Sequence, residues 1–247
     1  MASVIRPRIH LYALCWNEAR MLPFFFRHYD SIVDWYFIFD NGSTDGSLEL
    51  LKKHPKVSVA AFTVEGPSFV LAAVDFYNQS WKQSRGQAEW VIVCNIDEHL
   101  YRPDLRAYLG SLPEQVTLII ASGYEMVSEI FPAANVVLSD HIRTGIRYEF
   151  YDKPAIFRPD SITEINFIPG RHEAAPEGMV ATPLSREVKL LHYKCLGSEY
   201  LVSRSNELRQ GLREMDLARG WGHQYVWDDA KKQDYFRRVK EGAVQVL

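Results

Sequence analysis

Cysteine is scarce in this sequence, with only Cys15, Cys94 and Cys195 among 247 residues. The three are far apart, odd in number and each surrounded by apolar residues. This pattern excludes a small domain held together by disulfides and does not fit a zinc site. We therefore expect reduced, buried thiols and a cytoplasmic protein.

Long apolar runs and blocks of like charge are also absent. No segment approaches the roughly 18 uninterrupted apolar residues of a membrane span, and the first residues read as a strand rather than a signal peptide. The 28 basic and 31 acidic residues are dispersed and give a net charge of -3. We expect no transmembrane segment and no nucleic-acid partner. Peripheral association with a membrane surface is compatible with this pattern.

Several common catalytic loops are missing. The sequence has no G-x-x-x-x-G-K-[ST] loop, no G-x-G-x-x-G after the first strand and no G-x-S-x-G turn. The segment "RHEAAPEG" begins like a zinc-protease helix but has Pro176 where the second histidine should be. A P-loop enzyme, a dinucleotide-binding dehydrogenase, an α/β-hydrolase and a zinc protease are excluded.

Apolar runs instead alternate with segments of helical character, which predicts an α/β fold of the Rossmann-like type. We expect a mixed, mainly parallel sheet flanked by helices, in a single domain spanning 1–247. The predicted strands are 9–15, 33–39, 57–62, 90–94, 116–121 and 186–195. The predicted helices are 20–30, 45–54, 69–84, 198–217 and 228–241.

Three of the predicted strands end in clusters of polar residues. Ligands of open α/β sheets bind outside the carboxyl ends of the strands, so these clusters predict one site built from several loops. The clusters are Asn17 and Glu18 in "CWNEAR"; Asp40, Asn41 and Asp45 in "FDNGSTDGS"; and Asn95, Asp97, Glu98 and His99 in "CNIDEH".

Each of the latter two clusters has a purely structural alternative. In "FDNGSTDGS", Asn41 and Gly42 can form a turn while Ser43, Thr44 or Asp45 caps the next helix. "NIDEH" can be a solvated acidic loop. Alternatively, Asp97 with Asn95 or His99 can chelate a divalent cation, since alternate residues of an extended segment point to the same side.

In this order, strand-"NE", strand-"DNGSTDGS"-helix and strand-"NIDEH" resemble family 2-like glycosyltransferases of the GT-A fold. The resemblance covers about residues 9–110 and, more weakly, "YDKPAIFRP", "PGRHEA" and "LLHYKCLGSEYLVSR". The subgroup it is most similar to carries D-x-D-E-F after the fourth strand and a late H-Y strand. Here Asn95 replaces the first aspartate of that motif, and His99 replaces the phenylalanine.

The resemblance implies that a nucleotide-sugar donor, with UDP, GDP or another nucleotide, binds the first half of the chain, about residues 1–110. The residues implied for the donor are Asn17, Glu18, Asp40, Asn41, Asp45 and Asn95. It also implies a divalent cation, Mn²⁺ or Mg²⁺, that stabilises charge on the departing nucleotide. The residues implied for the metal are Asp97, His99 and His192, although His192 is equally compatible with a buried core histidine.

An inverting transferase needs a carboxylate that takes the proton of the acceptor hydroxyl. Glu173 and Glu125 are the candidates, because acceptor sites of this fold are built from the second half, about residues 111–247. The aromatic residues of "SGYEMVSEIF" and of 148–152 are candidates for a sugar platform or for core packing. Four cations are candidates for contact with the diphosphate and are equally compatible with ordinary surface charges: Lys153, Arg158, Arg171 and Lys194.

The resulting hypothesis is a glycosyltransferase that moves a hexosyl group from a nucleotide sugar to a hydroxyl of a glycan, lipid-linked saccharide or protein acceptor, with inversion. One alternative is a sugar nucleotidyltransferase, which normally has a glycine-rich basic loop after the first strand. The other is a non-catalytic relative that binds a sugar or a partner.

Overall fold

A computed structural model describes residues 6–247. Most strands in this range are runs of β-branched and aromatic residues, which favour extended backbone. In chain order the strands are β1 (Ile9–Cys15), β2 (Trp35–Asp40), β3 (Val57–Ala61), β4 (Trp90–Val93), β5 (Glu98–Tyr101), β6 (Leu118–Ser128), β7 (Thr144–Arg147), β8 (Lys153–Phe157), β9 (Ile162–Glu164), β10 (Glu177–Gly178), β11 (Lys189–Leu196) and β12 (Val244–Gln245).

The main sheet has the order β12-β7-β6-β8-β4-β1-β2-β3. Its β4-β1-β2-β3 portion is parallel, whereas β8 runs antiparallel between β4 and β6. The second half of β6 pairs in parallel with β11, and β11 carries β5 as an antiparallel neighbour. The predicted α/β class with a mixed, Rossmann-like sheet is confirmed.

Helices flank the sheet, and two of them begin at residues suited to a helix start. Pro23 lies in the first turn of the helix Leu22–Tyr29, where its missing N–H costs nothing, and Ser68 caps the helix Phe69–Gln79 by accepting a hydrogen bond from the backbone N–H of Leu71. The helices are α1 (Leu22–Tyr29), α2 (Ser47–Lys53), α3 (Phe69–Gln79), α4 (Leu105–Ser111), α5 (Leu138–His141), α6 (Ser198–Gly211), α7 (Glu214–Ala218) and α8 (Asp229–Glu241).

The core lies on both faces of the sheet. The larger cluster packs α1 against β1, β2 and β11, and a second cluster packs α3 and Trp81 against the other face of β4 and β8. All four residues of β4 are buried, as predicted for a strand covered on both sides. The three cysteines are buried free thiols, also as predicted.

The second half of the chain holds strands that the sequence did not predict. The clearest is β8, which is fully buried between β4 and β6 although it contains Pro154. Its pairing with β6 shifts register between Ile119 and Ile120, and Ile120 is the partner of Pro154. The irregularity accommodates a residue that has no N–H to donate.

Within residues 6–247, every helix is too short or too polar to span a membrane.

Candidate functional site

The predicted polar clusters meet around one cavity of about 420 Å³ at the carboxyl ends of β1, β2 and β4. The amino end of the antiparallel β8 reaches the same edge. The wall opposite the sheet is formed by α6 and by residues 220–225. The charged and polar residues lining the cavity include Glu18, Asn41, Asn95, Asp97, Glu98, Lys153, Arg171, His172, His192, Lys194, Arg204 and Tyr225.

Three side chains, those of Asp97, His192 and Glu125, contact one another in a row from the cavity into the core. The Nε2 atom of His192 lies 3.2 Å from an oxygen of Asp97, and its Nδ1 atom lies 3.3 Å from an oxygen of Glu125. Burial lowers the pKa of His192, but the two carboxylates more than offset this and raise it to about 10. Burial raises the pKa of Asp97, but the neighbouring imidazolium more than offsets this and brings the pKa below its ordinary value. In this state the imidazole is therefore a cation held between two anions.

Strand alternation decides which residues of "NIDEH" reach this site. In the β5–β11 pair, Glu98 lies opposite His192 and His99 lies opposite Leu191. Successive residues point to opposite faces, so Glu98 faces the cavity and His99 faces the core. The ring of His99 is 1% exposed and stacks on the ring of His28 with centroids 4.6 Å apart. The structure does not bring His99 to Asp97 and His192 as a third ligand.

Glu98 is the centre of a buried ion cluster beneath the cavity. Its carboxylate lies 2.5 Å from the Nζ atom of Lys153 and 3.0 Å from a guanidinium nitrogen of Arg171. All three residues are at most 4% exposed. Burial raises the pKa of Glu98, but the two cations hold it far below its ordinary value. Lys153 and Arg171, which as isolated positions could have been surface charges, are buried structural ions.

Asn95 belongs to the same cluster. Its side-chain oxygen accepts hydrogen bonds from Arg171 at 2.7 Å and from the hydroxyl of Tyr77 at 3.1 Å. Arg171 reaches this position from a backbone with φ of 57°, a conformation that costs a non-glycine residue about 1–3 kcal/mol. The strain marks a guanidinium held in place from several directions, since it also donates to the carbonyl oxygen of Val93.

The loop after β1 is tied to the loop after β2 and to α6. The side-chain oxygen of Asn17 accepts from the backbone N–H of Thr44, and its amide nitrogen donates to Glu207. The guanidinium of Arg204 donates to Glu18 at 2.6 Å. Asn17 has a φ of 53°, in the left-handed region that asparagine tolerates. These contacts fix two of the predicted donor-binding loops relative to each other.

Asp40 and Asp45 have different surroundings. Asp40 is buried, and its Oδ2 accepts from the backbone N–H of Ser43, whereas its Oδ1 has no partner within residues 6–247. Asp45 accepts from the backbone N–H of Ala19 and from the N–H and hydroxyl of Ser47. Burial raises the pKa of Asp45, but these hydrogen bonds bring it below its ordinary value.

The start of α2 differs from the predicted cap by one residue. The N-cap position is Gly46, with a φ of 96°, whereas the carboxylate of Asp45 accepts from the N–H of Ser47, the first residue of the helix. Asp45 thereby bridges the first turn of α2 to the loop after β1.

The two glutamates predicted as proton acceptors do not line the cavity. Glu125 is fully buried behind His192, where its Oε2 also accepts from the hydroxyl of Tyr235. Its geometry is that of a group that orients His192. Glu173 is exposed and lies outside the cavity. Arg158 is also remote, because its guanidinium packs over Trp90 and donates to a backbone carbonyl.

Some lining residues had no recognisable pattern in the sequence. Arg204 on α6 is separated from Glu18 by 186 positions, so no local motif reveals the pair. Trp221 and Tyr225 lie in a segment where the sequence predicts no element, yet they line the cavity. The neighbouring α7 positions this segment: Asp216 is fully buried and accepts from the hydroxyl of Ser68 and from the first backbone N–H groups of α3.

Asp97 and His192 would be two ligands of one divalent cation only once the proton on Nε2 of His192 has left, because a metal-bound imidazole is neutral. Bonds of about 2.1 Å at right angles place neighbouring ligand atoms about 3 Å apart, close to the observed 3.2 Å. Among residues 6–247, no group of three His, Cys, Asp or Glu side chains has the arrangement to hold a metal ion by itself. A cation held by Asp97 and His192 would need its remaining ligands from water, from a bound phosphate or from other oxygen atoms.

No family model and no curated protein matches this chain. Solved structures do match it, at low similarity. A 4-diphosphocytidyl-2C-methyl-D-erythritol synthase is 9% identical, with a TM-score of 0.33, and the match covers 62% of this chain and 76% of that one.

Two further matches are longer. A putative glucose-1-phosphate thymidylyltransferase from Bacillus anthracis is 10% identical, with a TM-score of 0.31 and coverage of 92% and 98%. A mannose-1-phosphate geranyltransferase from Thermus thermophilus is 11% identical, with a TM-score of 0.33 and coverage of 98% and 72%. The TM-scores are too low for these likenesses to assign a function or the role of a residue.

Proposed function

We propose that this protein is a glycosyltransferase that transfers a hexosyl group from a nucleoside-diphosphate sugar to a hydroxyl of a glycan, lipid-linked saccharide or protein acceptor, with inversion. The observation that carries the proposal is the pairing of Asp97 with His192. Asp97 lies in the turn before β5 and His192 lies on β11, and the two side chains meet in the cavity that the loops after β1 and β2 also line.

The nucleoside end of the donor is proposed to lie against the loops after β1 and β2. The free Oδ1 of Asp40 is a buried acceptor without a partner in the described chain. Because an unsatisfied buried acceptor costs about 1–3 kcal/mol, a ring N–H of a base or a ribose hydroxyl would stabilise it. Asn41, the next residue, lines the cavity and supplies both a donor and an acceptor.

The diphosphate is proposed to lie over Asp97 and His192. These residues would hold Mn²⁺ or Mg²⁺, which neutralises the negative charge that develops on the departing nucleoside diphosphate. Lys194 lines the same wall. Lys153 and Arg171, below, are paired with Glu98 in a buried cluster, so Lys194 is the cation proposed to approach the diphosphate.

The test is release of nucleoside diphosphate from UDP-, GDP- and other nucleotide sugars, with Mn²⁺ and Mg²⁺ titrated separately. Asp97→Asn should lower kcat at least about a hundredfold, as expected for loss of a group that stabilises developing charge. Asp75→Asn is the matched control, because Asp75 is exposed on α3 and does not line the cavity. If Asp97→Asn is as active as the parent, this assignment of the site is wrong.

A second candidate, a sugar nucleotidyltransferase, is favoured by the buried cations. Attack of a sugar phosphate on a nucleoside triphosphate expels pyrophosphate, and Lys153 and Arg171 could balance part of the extra charge. Against it, the loop after β1, "CWNEAR", lacks the glycines that such enzymes use. An assay for pyrophosphate release from nucleoside triphosphates with hexose 1-phosphates separates the two reactions. Only the nucleotidyltransferase releases pyrophosphate, and only the glycosyltransferase releases nucleoside diphosphate.

A thermal-shift screen with the same nucleotides detects binding without turnover. A ligand that binds only the folded state raises the melting temperature by mass action. A shift with a nucleotide sugar but no product in either assay would favour a non-catalytic binding protein over both enzymes.

A further inference from the structure

Phe150 is a large apolar side chain held in the open. It is 61% exposed although it lines the cavity. Burying a phenylalanine is worth about 1.5–3 kcal/mol, so leaving it in water forfeits part of that stabilisation unless something covers the ring. Core packing, which explains many of the aromatic residues in this half of the chain, does not explain this one.

The turn that presents Phe150 is built rigidly. It spans Glu149–Tyr151 and lies directly against β6 at Gly123. A Cβ atom on Gly123 would come within 2.4 Å of the backbone of Tyr151, so only glycine allows this approach. The carboxylate of Asp152 then accepts from the backbone N–H of Gly123 and from Arg147. The exposed ring is therefore preorganised by its support.

The ring of His172 packs against the ring of Phe150 and supports it. The centroids of Phe150 and His172 are 3.9 Å apart, with 31° between the planes. Gly170, at a φ of 81°, leaves the space that His172 occupies, since a Cβ there would lie 2.5 Å from the imidazole. Burial lowers the pKa of His172 to about 3, so the ring is neutral at physiological pH. Both rings line the cavity.

Tyr151 connects these rings to the proposed reaction centre. Its ring lies 6.0 Å from that of His172, nearly parallel to it, and 4.6 Å from that of His192 in an edge contact. A ligand resting on Phe150 and His172 is therefore beside the Asp97–His192 pair.

We propose that Phe150 and His172 form an acceptor platform on which the apolar face of a pyranose ring packs, so that the acceptor is a glycan or glycoside. The proposal rests on the proposed function, because it names the substrate that attacks the donor sugar. A sugar ring offers an apolar face of C–H groups and a rim of hydroxyls, which matches the exposed ring of Phe150, supported by His172, beside a cavity with polar walls.

The experiment uses methyl glycosides of glucose, galactose, mannose and N-acetylglucosamine as acceptor probes, with the parent, Phe150→Ala and Phe150→Trp. Saturation-transfer NMR measures contact with each glycoside and needs no turnover. With the nucleotide sugar that the parent uses, acceptor KM, kcat and hydrolysis of the donor alone are measured. Trp35→Ala is the control, because Trp35 is also an exposed aromatic residue, 40% accessible, but lies outside the cavity.

For Phe150→Ala we expect the saturation transfer to disappear and the acceptor KM to rise at least about tenfold, with kcat and donor hydrolysis changed less than about twofold. Phe150→Trp should keep the KM within about threefold of the parent, since a larger aromatic face is retained. Trp35→Ala should match the parent in every measurement.

Two results would overturn the platform: no saturation transfer from the parent to any glycoside, or a Phe150→Ala effect that falls on the donor instead of the acceptor. Failure of the proposed function is distinguishable. In that case no nucleotide sugar turns over, yet glycosides still bind in a manner that depends on Phe150, which supports the platform as a sugar-binding site.

Discussion

Glu98→Gln should be among the most destabilising single substitutions in this protein. The substitution keeps the shape of the side chain but removes its charge, leaving Lys153 and Arg171, at 4% and 3% exposure, without an anion between them. Removing one partner of a buried ion pair costs about 3–5 kcal/mol, because the remaining charge is uncompensated. Domains have about 5–15 kcal/mol of stability in total, so the loss is a large fraction of it.

The loss can be measured as a melting temperature. For a chain of this size, 1 kcal/mol corresponds to about 2–4 °C, so Glu98→Gln should lower the Tm by about 6–20 °C. Differential scanning calorimetry and urea titration, followed by circular dichroism, give independent values. Glu173→Gln is the matched control: it makes the same chemical change at an exposed glutamate and should stay within about 0.5 kcal/mol of the parent.

A second variant tests the cause. Lys153→Met added to Glu98→Gln removes one buried cation together with the anion, while Arg171 keeps its bonds to Asn95 and to the carbonyl of Val93. The double variant should therefore recover at least about 1 kcal/mol relative to Glu98→Gln alone. If Glu98→Gln melts within 1–2 °C of the parent, or if the double variant is less stable by the full sum of the two losses, the reasoning from buried charge is refuted.

Three further outcomes are expected. Gly123→Ala forces a Cβ to within 2.4 Å of the backbone of Tyr151 and should cost about 1–3 kcal/mol in urea unfolding, and an unchanged urea midpoint would contradict it. Asp216→Ala strips the acceptor from the start of α3 and should cost about 2 kcal/mol by the same measurement, with a loss below 0.5 kcal/mol as the contrary result. Burial raises the pKa of Asp34, but hydrogen bonds from Arg106 and a backbone N–H bring it below its ordinary value, so its stabilisation is complete above about pH 4 and is lost as the pH falls through the folded-state pKa. Asp34→Asn should therefore flatten the acid limb of a plot of stability against pH, and two parallel limbs would contradict this.

The first half of the fold could be predicted because its local sequence patterns agree with its tertiary structure. The apolar run at Ile9–Cys15 is a strand with the predicted bounds, and the runs after it form the parallel part of the sheet. The second half could not be predicted in this way. Pro154 argues against a central strand, yet the register shift at Ile120 lets β8 lie in the middle of the sheet. The irregularity lies in the neighbouring strand β6, so the sequence pattern around Pro154 itself does not indicate it.

The location of the cavity could be predicted, but the contacts between its side chains could not. The ends of parallel strands meet by topology, so Glu18, Asn41 and Asp97 could be placed together from the chain order alone. His99 could not be assigned correctly, because "NIDEH" was interpreted as an extended segment with Asn95, Asp97 and His99 on one side. Asp97 instead lies in a turn, the strand begins at Glu98, and alternation directs His99 into the core. Arg204 pairs with Glu18 across most of the chain, and charge alone does not reveal such partners.

Asn95 stands where the resembling family has an aspartate, and the structure supplies a physical reason for an uncharged residue. Three carboxylates in this region, those of Asp97, Glu98 and Glu125, face three cations, those of Lys153, Arg171 and the protonated His192. Beside these three carboxylates a fourth would need a further cation, because an unpaired buried charge is costly away from water. Asparagine provides the acceptor that Arg171 needs without adding a charge. An uncharged acceptor at Asn95 therefore suits the two cations that β8 and the turn after β9 carry into the floor of the cavity.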